Sequence, residues 1–495
     1  MFFVGGLFRV LFYVLFIGCF SFCLGISARA SVGDVEGEEL VFDSSKVGAS
    51  LPAEVSVKKE VVPANVAKAT MEEDSFSVSK ENALLIAKNM VARGMFDDAL
   101  VILNKIQFDI ETERDLELER WFLLGQIAMS KSDYDGAIAL FRKILDVNPD
   151  LSRVRLDLSL AYMQTGSYIR ANYNFRLAMA GDLPDTVSEN VSKFLYILRA
   201  NKNYGFWFNF GIAPDSNINN TRSGTQCVNT IFGVLCNDLP GAEDKVGYNF
   251  AFGGDYEFRL SERWRIKSDL GMNISKYDER DYDDYSVSAS VGPRYIFDGG
   301  ELYLGLSGQR RYLAHTPYSY FIGAKMSGNY DITQRLSFGA SLYISPMRYD
   351  NVKALDGNNW GIASQFAYSL TPSKYMIFKS GYDREETDAP AYRNGKVNFG
   401  IGFGAELYGG YSIYLEPSVV FTNYDNPRPY IKDNFYQPIK RNDTTWKYQI
   451  TLANKKINFY GFTPTFGYTY TSRNSNVWQE EYSKHSFNFG FSQRF

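Results

Sequence analysis

From residue 204 onward the sequence is built of segments in which apolar and polar side chains alternate one by one, and no other feature limits the fold so tightly. Successive side chains of a pleated strand point to opposite faces, so each segment carries an oily face and a polar one. Trp264, Ile266, Leu270, Met272 and Ile274 alternate with Arg265, Lys267, Asp269, Gly271 and Asn273, and Leu302, Leu304 and Leu306 with Tyr303, Gly305 and Ser307. Fourteen segments have this form: 204–214, 246–260, 264–278, 285–297, 302–313, 319–331, 335–349, 359–370, 374–384, 396–407, 410–424, 445–455, 457–472 and 483–495. Their connections alternate too. Ser261-Glu262-Arg263, Asp298-Gly299-Gly300-Glu301, Thr333-Gln334, Thr371-Pro372-Ser373 and Gly409 make tight turns, whereas 215–245, 385–395, 425–444 and 473–482 are long. No apolar run is long enough for a membrane helix. The layout is that of a fourteen-stranded antiparallel outer-membrane β-barrel, with short turns toward the periplasm, long loops outward and a polar lumen. An even strand number returns both barrel ends to the periplasmic side. A large soluble β-domain can alternate in the same way, without the features that follow.

The last segment carries Phe487, Phe489 and Phe491 on one face, has Ser486, Asn488, Gly490 and Ser492 between them, and ends at Phe495. It is expected to close the barrel against 204–214 with its aromatics toward outer-membrane lipid. Tyr277, Tyr312, Tyr349, Tyr382, Tyr424 and Tyr470, near strand ends, are expected to form the interfacial girdles. Pro293, Pro346, Pro417 and Pro464 cannot donate to a ladder, so each is expected at a bulge or a weakly paired point. Pro464 stands in the segment beside the seam between first and last strands, where weak pairing would let the wall open sideways. A bulge that only shapes the barrel is the other reading.

The front of the chain sets the compartment. Residues 1–30 have Arg9 and Arg29 as their only charges, an apolar run over 10–22 and Ala28-Arg29-Ala30 at the end, the pattern of a secretory signal peptide cut after Ala30. Phe16-Ile17-Gly18-Cys19 also resembles a lipoprotein-type site, but apolar residues continue past Cys19 to Ile26. Loss of the two arginines moves the formal charge from -4 to -6, which excludes a basic nucleic-acid binder. Cys19 and Cys23 leave with the signal. Cys227 and Cys236 remain, nine positions apart in a long loop of an exported chain, and a disulfide between them is expected. A metal site would need more ligands than two thiols, and the loop has no histidine. Residues 31–79 are rich in Val, Ala, Ser, Glu and Lys, with few aromatics, and read as a flexible linker.

Over 80–201 the period becomes helical and the segment repeats. Trp121, Leu124, Gly125, Ala137, Phe141 and Pro149 stand at tetratricopeptide-type positions, and Tyr134, Ala137 and Phe141 recur 34 residues later as Tyr168, Ala171 and Phe175. Ala87, Phe96, Ala99 and Leu103 match at a spacing of 38, which implies extra residues around 106–115. About three helix pairs result, in which Gly125, Ala137 and Ala171 let helices approach while Phe141 and Phe175 fill the space between pairs. These are core residues. Such a stack offers a concave face for a peptide or protein segment, or else serves as a scaffold or plug. It is expected in the periplasm, with the barrel over 202–495.

The chain has two histidines, His315 in an outer loop and His485 at the start of the last strand, with no Ser-x-Gly elbow or metal spacing around either. No acid-base pair for an enzyme can be assembled, and no phosphate loop or cofactor motif appears. Asp278-Glu279-Arg280-Asp281-Tyr282-Asp283-Asp284 lacks the glycine and final glutamate of a calcium loop and reads as a solvated outer loop.

At the junction of repeats and barrel stands Gly205-Phe206-Trp207-Phe208-Asn209-Phe210-Gly211-Ile212-Ala213-Pro214-Asp215-Ser216-Asn217-Ile218-Asn219. With a short repeat stack before it and fourteen strands after it, this string resembles the surface lipoprotein assembly modulator family of Gram-negative outer membranes, over residues 80–495, with Ala213 to Asn219 its most specific part. The resemblance implies a translocator that moves client lipoproteins from periplasm to cell surface, the repeats meeting the client and the barrel giving passage; a monomer is expected, and no nucleotide cofactor, since no phosphate loop is present. The last strand also resembles the signal read by the barrel assembly machinery, departing from it at Gln493. A polysaccharide export pore also joins helical repeats to a barrel, usually with longer arrays and larger barrels. A general diffusion porin would leave the repeats without purpose.

Overall fold

The computed structural model describes residues 78–200, 204–239, 241–457 and 462–494, with side chains up to Phe491 in the last strand. The expected signal peptide, the linker up to residue 77, and Phe495 lie outside the described residues.

The helical period produces α1 (Lys80–Ala92), α2 (Phe96–Lys105), α3 (Arg114–Ser130), α4 (Tyr134–Val147), α5 (Ser152–Gln164), α6 (Tyr168–Ala178) and α7 (Asp185–Ala200). Local signals bound them. Asp133 caps α4 by accepting the Gly136 N–H at 3.0 Å. Gly94 and Gly166 follow α1 and α5 with φ of 79° and 74°, the left-handed backbone that favours glycine after a helix. Successive helices pack as pairs around two apolar clusters, one spanning α1 to α3 and the other α3 to α7. Ala137, Phe141 and Ala171 are fully buried and Trp121 and Phe175 nearly so. A Cβ on Gly125 would lie 2.5 Å from the Phe141 ring, so that pair of helices meets only because position 125 has no side chain. The longer first spacing has a visible cause. Residues 106–113 form a loop tied to α3, where buried Glu117 accepts the Phe108 N–H at 3.1 Å and pairs with Arg120 at 2.8 Å.

The alternating segments form a closed antiparallel barrel of fourteen strands, β1 (Tyr204–Asp215), β4 (Lys245–Arg259), β5 (Trp264–Tyr277), β6 (Asp284–Phe297), β7 (Gly300–Leu313), β8 (Thr316–Asp331), β9 (Leu336–Tyr349), β10 (Gly357–Thr371), β11 (Lys374–Thr387), β12 (Asn394–Glu406), β13 (Tyr411–Tyr424), β16 (Asn442–Asn454), β17 (Thr463–Ser475) and β18 (Tyr482–Arg494). Antiparallel neighbours follow chain order, and β1 meets β18. Two connections expected to be long loops hold hairpins of their own, β2 (Gly224–Thr230) with β3 (Gly233–Leu239), and β14 (Arg428–Lys432) with β15 (Phe435–Ile439). The thirteenth wall strand is described from Thr463, later than the expected start at 457.

The faces separate as alternation requires. Leu270, Leu304, Leu306 and Ile322 are exposed on the outside, while Arg265 is buried and Asp269 bonds Ser290 within the wall's inner face. The tyrosine girdle needs correction. Tyr312, Tyr382 and Tyr470 point outward, but Tyr277, Tyr349 and Tyr424 share parity with lumenal residues. Tyr277 covers Gly247, and Tyr349 and Tyr424 line a lumenal cavity of about 150 Å³ with Glu385 and Asn394. Nearness to a strand end does not choose a face; the two-residue period does. The prolines interrupt ladders without shifting register. Partner pairs skip Pro293 between β6 and β7, Pro346 between β8 and β9, and Pro417 between β12 and β13. Pro464 keeps its pairing with Phe491 toward β18 and lies beyond the last pair toward β16.

Candidate functional site

Two places concentrate polar chemistry, the closing seam and the inner mouth. At the seam, pairing runs from Trp207 opposite Arg494 to Ile212 opposite Phe489, skips Ala213 and Pro214, and resumes at Asp215 opposite Ser486. Pro214 has no N–H to give. Among the described residues, seven backbone pairs join β1 to β18, while every other ladder of the wall has eleven or more. Side chains of the 213–217 string take over where the ladder fails. Asp215 accepts from Lys484 Nζ and from Ser486 Oγ, each at 2.9 Å, and from the Asn217 N–H at 2.9 Å. The Ser216 N–H donates to the His485 carbonyl at 3.0 Å, and the His485 N–H to Ser216 Oγ at 2.9 Å. Asn217 is buried and donates to the carbonyls of Thr221 at 2.7 Å and Ser483 at 3.1 Å.

Further in, Gly211 faces Gly490 across the seam, and the Asn488 carboxamide fills the space over Gly211, where a Cβ would lie 2.2 Å from its Oδ1. On the opposite face, Phe487, Phe489 and Phe491 turn outward, Phe487 packing on Tyr468 and Phe489 on Phe466. Phe208, Phe210, Phe462 and Phe491 border an open recess of about 320 Å³ on that outer side.

At the inner mouth the helices bond to residues at or beside all six short turns. Arg265 reaches the Ala200 carbonyl, Arg199 lies 4.0 Å from Glu301, and Asp331 receives Arg176 and Arg199, each at 2.7 Å. Asp150 accepts from Thr371 and Ser373 at 2.7 and 2.8 Å, Arg155 pairs with Glu406 at 2.6 Å, and Arg142 reaches the Lys455 carbonyl. Tyr173 donates to Glu406 at 2.6 Å. Burial, with the Glu406 carboxylate beside it, pushes the Tyr173 phenol well above its ordinary value, so it remains a donor. Sequence reasoning missed this ring of charges. Its trace in the sequence is Asp331 and Glu406 at strand ends, next to tight turns where solvated residues would serve.

On the outside, Cys227 and Cys236 are bonded across the β2–β3 hairpin, whose tip exposes Ile231 and Phe232. The Asn229 N–H donates to the Asn434 carbonyl at 2.8 Å, joining this hairpin to the β14–β15 connection. The acidic stretch 278–284 is exposed over 278–281, as expected of a solvated outer loop, but buried Asp283 and its neighbours tie its far end to the wall. Glu279 pairs with Lys245, Asp284 with Arg311, and Asp283 with Lys276 and His315. Among the described residues no group of three or more His, Cys, Asp or Glu is placed to hold a metal ion.

The family model described as surface lipoprotein assembly modifier matches residues 204–495. The chain belongs to this family. Named relatives are distant and match over most of their length. The surface lipoprotein assembly modifier of Moraxella catarrhalis is 22% identical over 375 residues, 74% of this chain and 71% of that protein. That of Pasteurella multocida is 20% identical over 398 residues, 74% of this chain and 75% of that protein. Surface lipoprotein assembly modifier 1 of Neisseria meningitidis is 22% identical over 379 residues, covering 75% of each. Among solved structures, the outer membrane channel DcaP of Acinetobacter baumannii is similar over 59% of this chain and 97% of that chain, at 8% identity and a TM-score of 0.35. As a barrel of the surface lipoprotein assembly modifier family, the chain is an outer-membrane protein of a Gram-negative bacterium.

Proposed function

We propose that this protein delivers specific lipoproteins from the periplasm to the cell surface, the helical domain meeting the client and the barrel passing it, without enzymatic chemistry. The observation that carries the reading is the inner mouth. A barrel of this family has its short-turn end ringed by bonds to α4 through α7, so a client reaching the barrel from that side must first deal with the helices. The first helices remain for the client, and α1 and α2 expose Leu85, Ile86 and Val101. A helix-covered mouth opposes free diffusion of solutes, which tells against a general porin.

The test is deletion of the gene, with surface exposure of co-encoded lipoproteins, export of capsule or matrix sugar, and small-solute uptake measured side by side. Loss of lipoprotein display alone is expected. Loss of sugar export with lipoproteins still displayed would refute the reading in favour of a polysaccharide pore, and loss of uptake alone would favour a porin.

A further inference from the structure

The seam has two faces of opposite character. On the lumen side, Gly211 and Gly490 leave no cross-strand side-chain pair, and the buried Oδ1 of Asn488 has no donor among the described residues. On the lipid side lies the recess between Phe208, Phe210, Phe462 and Phe491, walled among the described residues by these rings. Between the two faces runs the ladder with the fewest pairs among the described residues, broken at Ala213 and Pro214 and latched at its outer end by Asp215, Ser216 and Asn217.

A lipid-modified polypeptide presents the matching problem. Its acyl chains gain nothing in a polar lumen, and its backbone cannot lie unpaired in hydrocarbon. A seam that is oily outside and polar inside meets both demands at once, and a parted strand edge offers N–H and C=O groups to a passing chain. We propose that the β1–β18 seam is the binding and exit site for the lipidated end of the client, with acyl chains in the phenylalanine recess and peptide along the lumen face past Asn488. This rests on the reading above that the client is a lipoprotein. The string Ala213-Pro214-Asp215-Ser216-Asn217 then has a role. Pro214 withholds a ladder bond, and the polar residues close the gap reversibly.

The experiment locks the seam in the full chain. Ile212 and Phe489 are direct partners on the lipid side, so Ile212→Cys with Phe489→Cys gives a disulfide across it; Phe366→Cys with Phe378→Cys, partners on β10 and β11, gives the same lock elsewhere in the wall. The oxidised seam lock is expected to lower surface display of a co-expressed lipoprotein at least tenfold, with recovery on reduction, while the control lock and the reductant-treated wild type display normally. In a second arm, photoreactive p-benzoylphenylalanine at position 491 is expected to capture a client labelled in its acyl chains, and the same group at exposed position 378 only phospholipid. This arm decides alone if the cysteine pair prevents assembly. Normal display by the locked seam, or equal capture of phospholipid and no client at both positions, overturns the inference while the proposed function stands. A wild type that displays nothing fails the function itself, and the inference falls with it.

Discussion

Buried Arg155 of α5 donates to Glu406 at the inner end of β12 across 2.6 Å, joining residues 251 positions apart. Arg155 also bonds the Pro149 carbonyl and Asn174, so Glu406 completes a network that α5 cannot satisfy alone. Removing one partner of a buried ion pair strands the other, at a cost of about 3–5 kcal/mol. Glu406→Ala should therefore loosen α5 and α6 from the mouth, seen as lost amide-exchange protection in 152–178, while the barrel still resists heat and detergent as the wild type does. Unchanged protection would show that the other turns hold the helices without it.

Gly125 and Phe141 give a prediction about the helical domain by itself. Even an alanine Cβ at 125 would press to 2.5 Å from the ring, and Phe141 is fully buried with nowhere to move. Gly125→Ala should destabilise the helices by about 1–3 kcal/mol, the usual cost of overpacking a filled core. The helical signal in thermal circular dichroism should melt earlier, with the β signal unmoved.

How much of this was legible in the sequence follows from which interactions are local. Alternation marks a wall strand by itself, so all fourteen were visible, and Phe487, Phe489 and Phe491 could be assigned a face. The same rule, applied to Tyr277, Tyr349 and Tyr424, would have turned them inward; strand-end position misled. The hairpins at 224–239 and 428–439 are hidden because each strand in them is only five or seven residues long, too short to show a sustained alternation. Pro214 gives no local sign of a ladder break because it sits at a strand end inside the family string, whereas Pro464, expected to be weakly paired, keeps its pair with Phe491. The bond from Arg155 to Glu406 has no local signature, since nothing in either segment points to the other.

The β2–β3 hairpin is closed by the Cys227–Cys236 bond. Its removal frees the ends of a short loop, at a cost typical of disulfides of about 2–4 kcal/mol, confined here to the hairpin. A Cys227→Ser, Cys236→Ser double variant should be cleaved faster by external protease within 224–239, while the wall strands keep their protection.

Acid should loosen the outer cluster at Asp283. Burial pushes this carboxyl up, but bonds from Lys276, the Tyr277 N–H, His315 and Tyr285 outweigh it and hold it down at about 2. An unfolded aspartate titrates near 4, so the stabilisation is fully present above about pH 4 and is lost as pH falls toward 2. Amide protection of 278–284, corrected for the intrinsic exchange rate, should hold from neutral pH to about 4 and then decline. Asp283→Asn, still facing Lys276, His315 and Tyr285 with Arg280 nearby, should be looser at neutral pH and lose less protection than the wild type below about 4, where only the Glu279–Lys245 and Asp284–Arg311 pairs are left to titrate.

If this barrel carries lipoproteins outward, their exposure at the cell surface depends on it. The direct measurement is to express the chain with a lipoprotein encoded beside it in a Gram-negative host lacking both, and to follow cleavage of that lipoprotein by protease added to intact cells. Cleavage is expected only when this chain is present, and is expected to be lost when residues 80–201 are deleted from it. A lipoprotein equally protected, or equally cleaved, with and without the chain would contradict it.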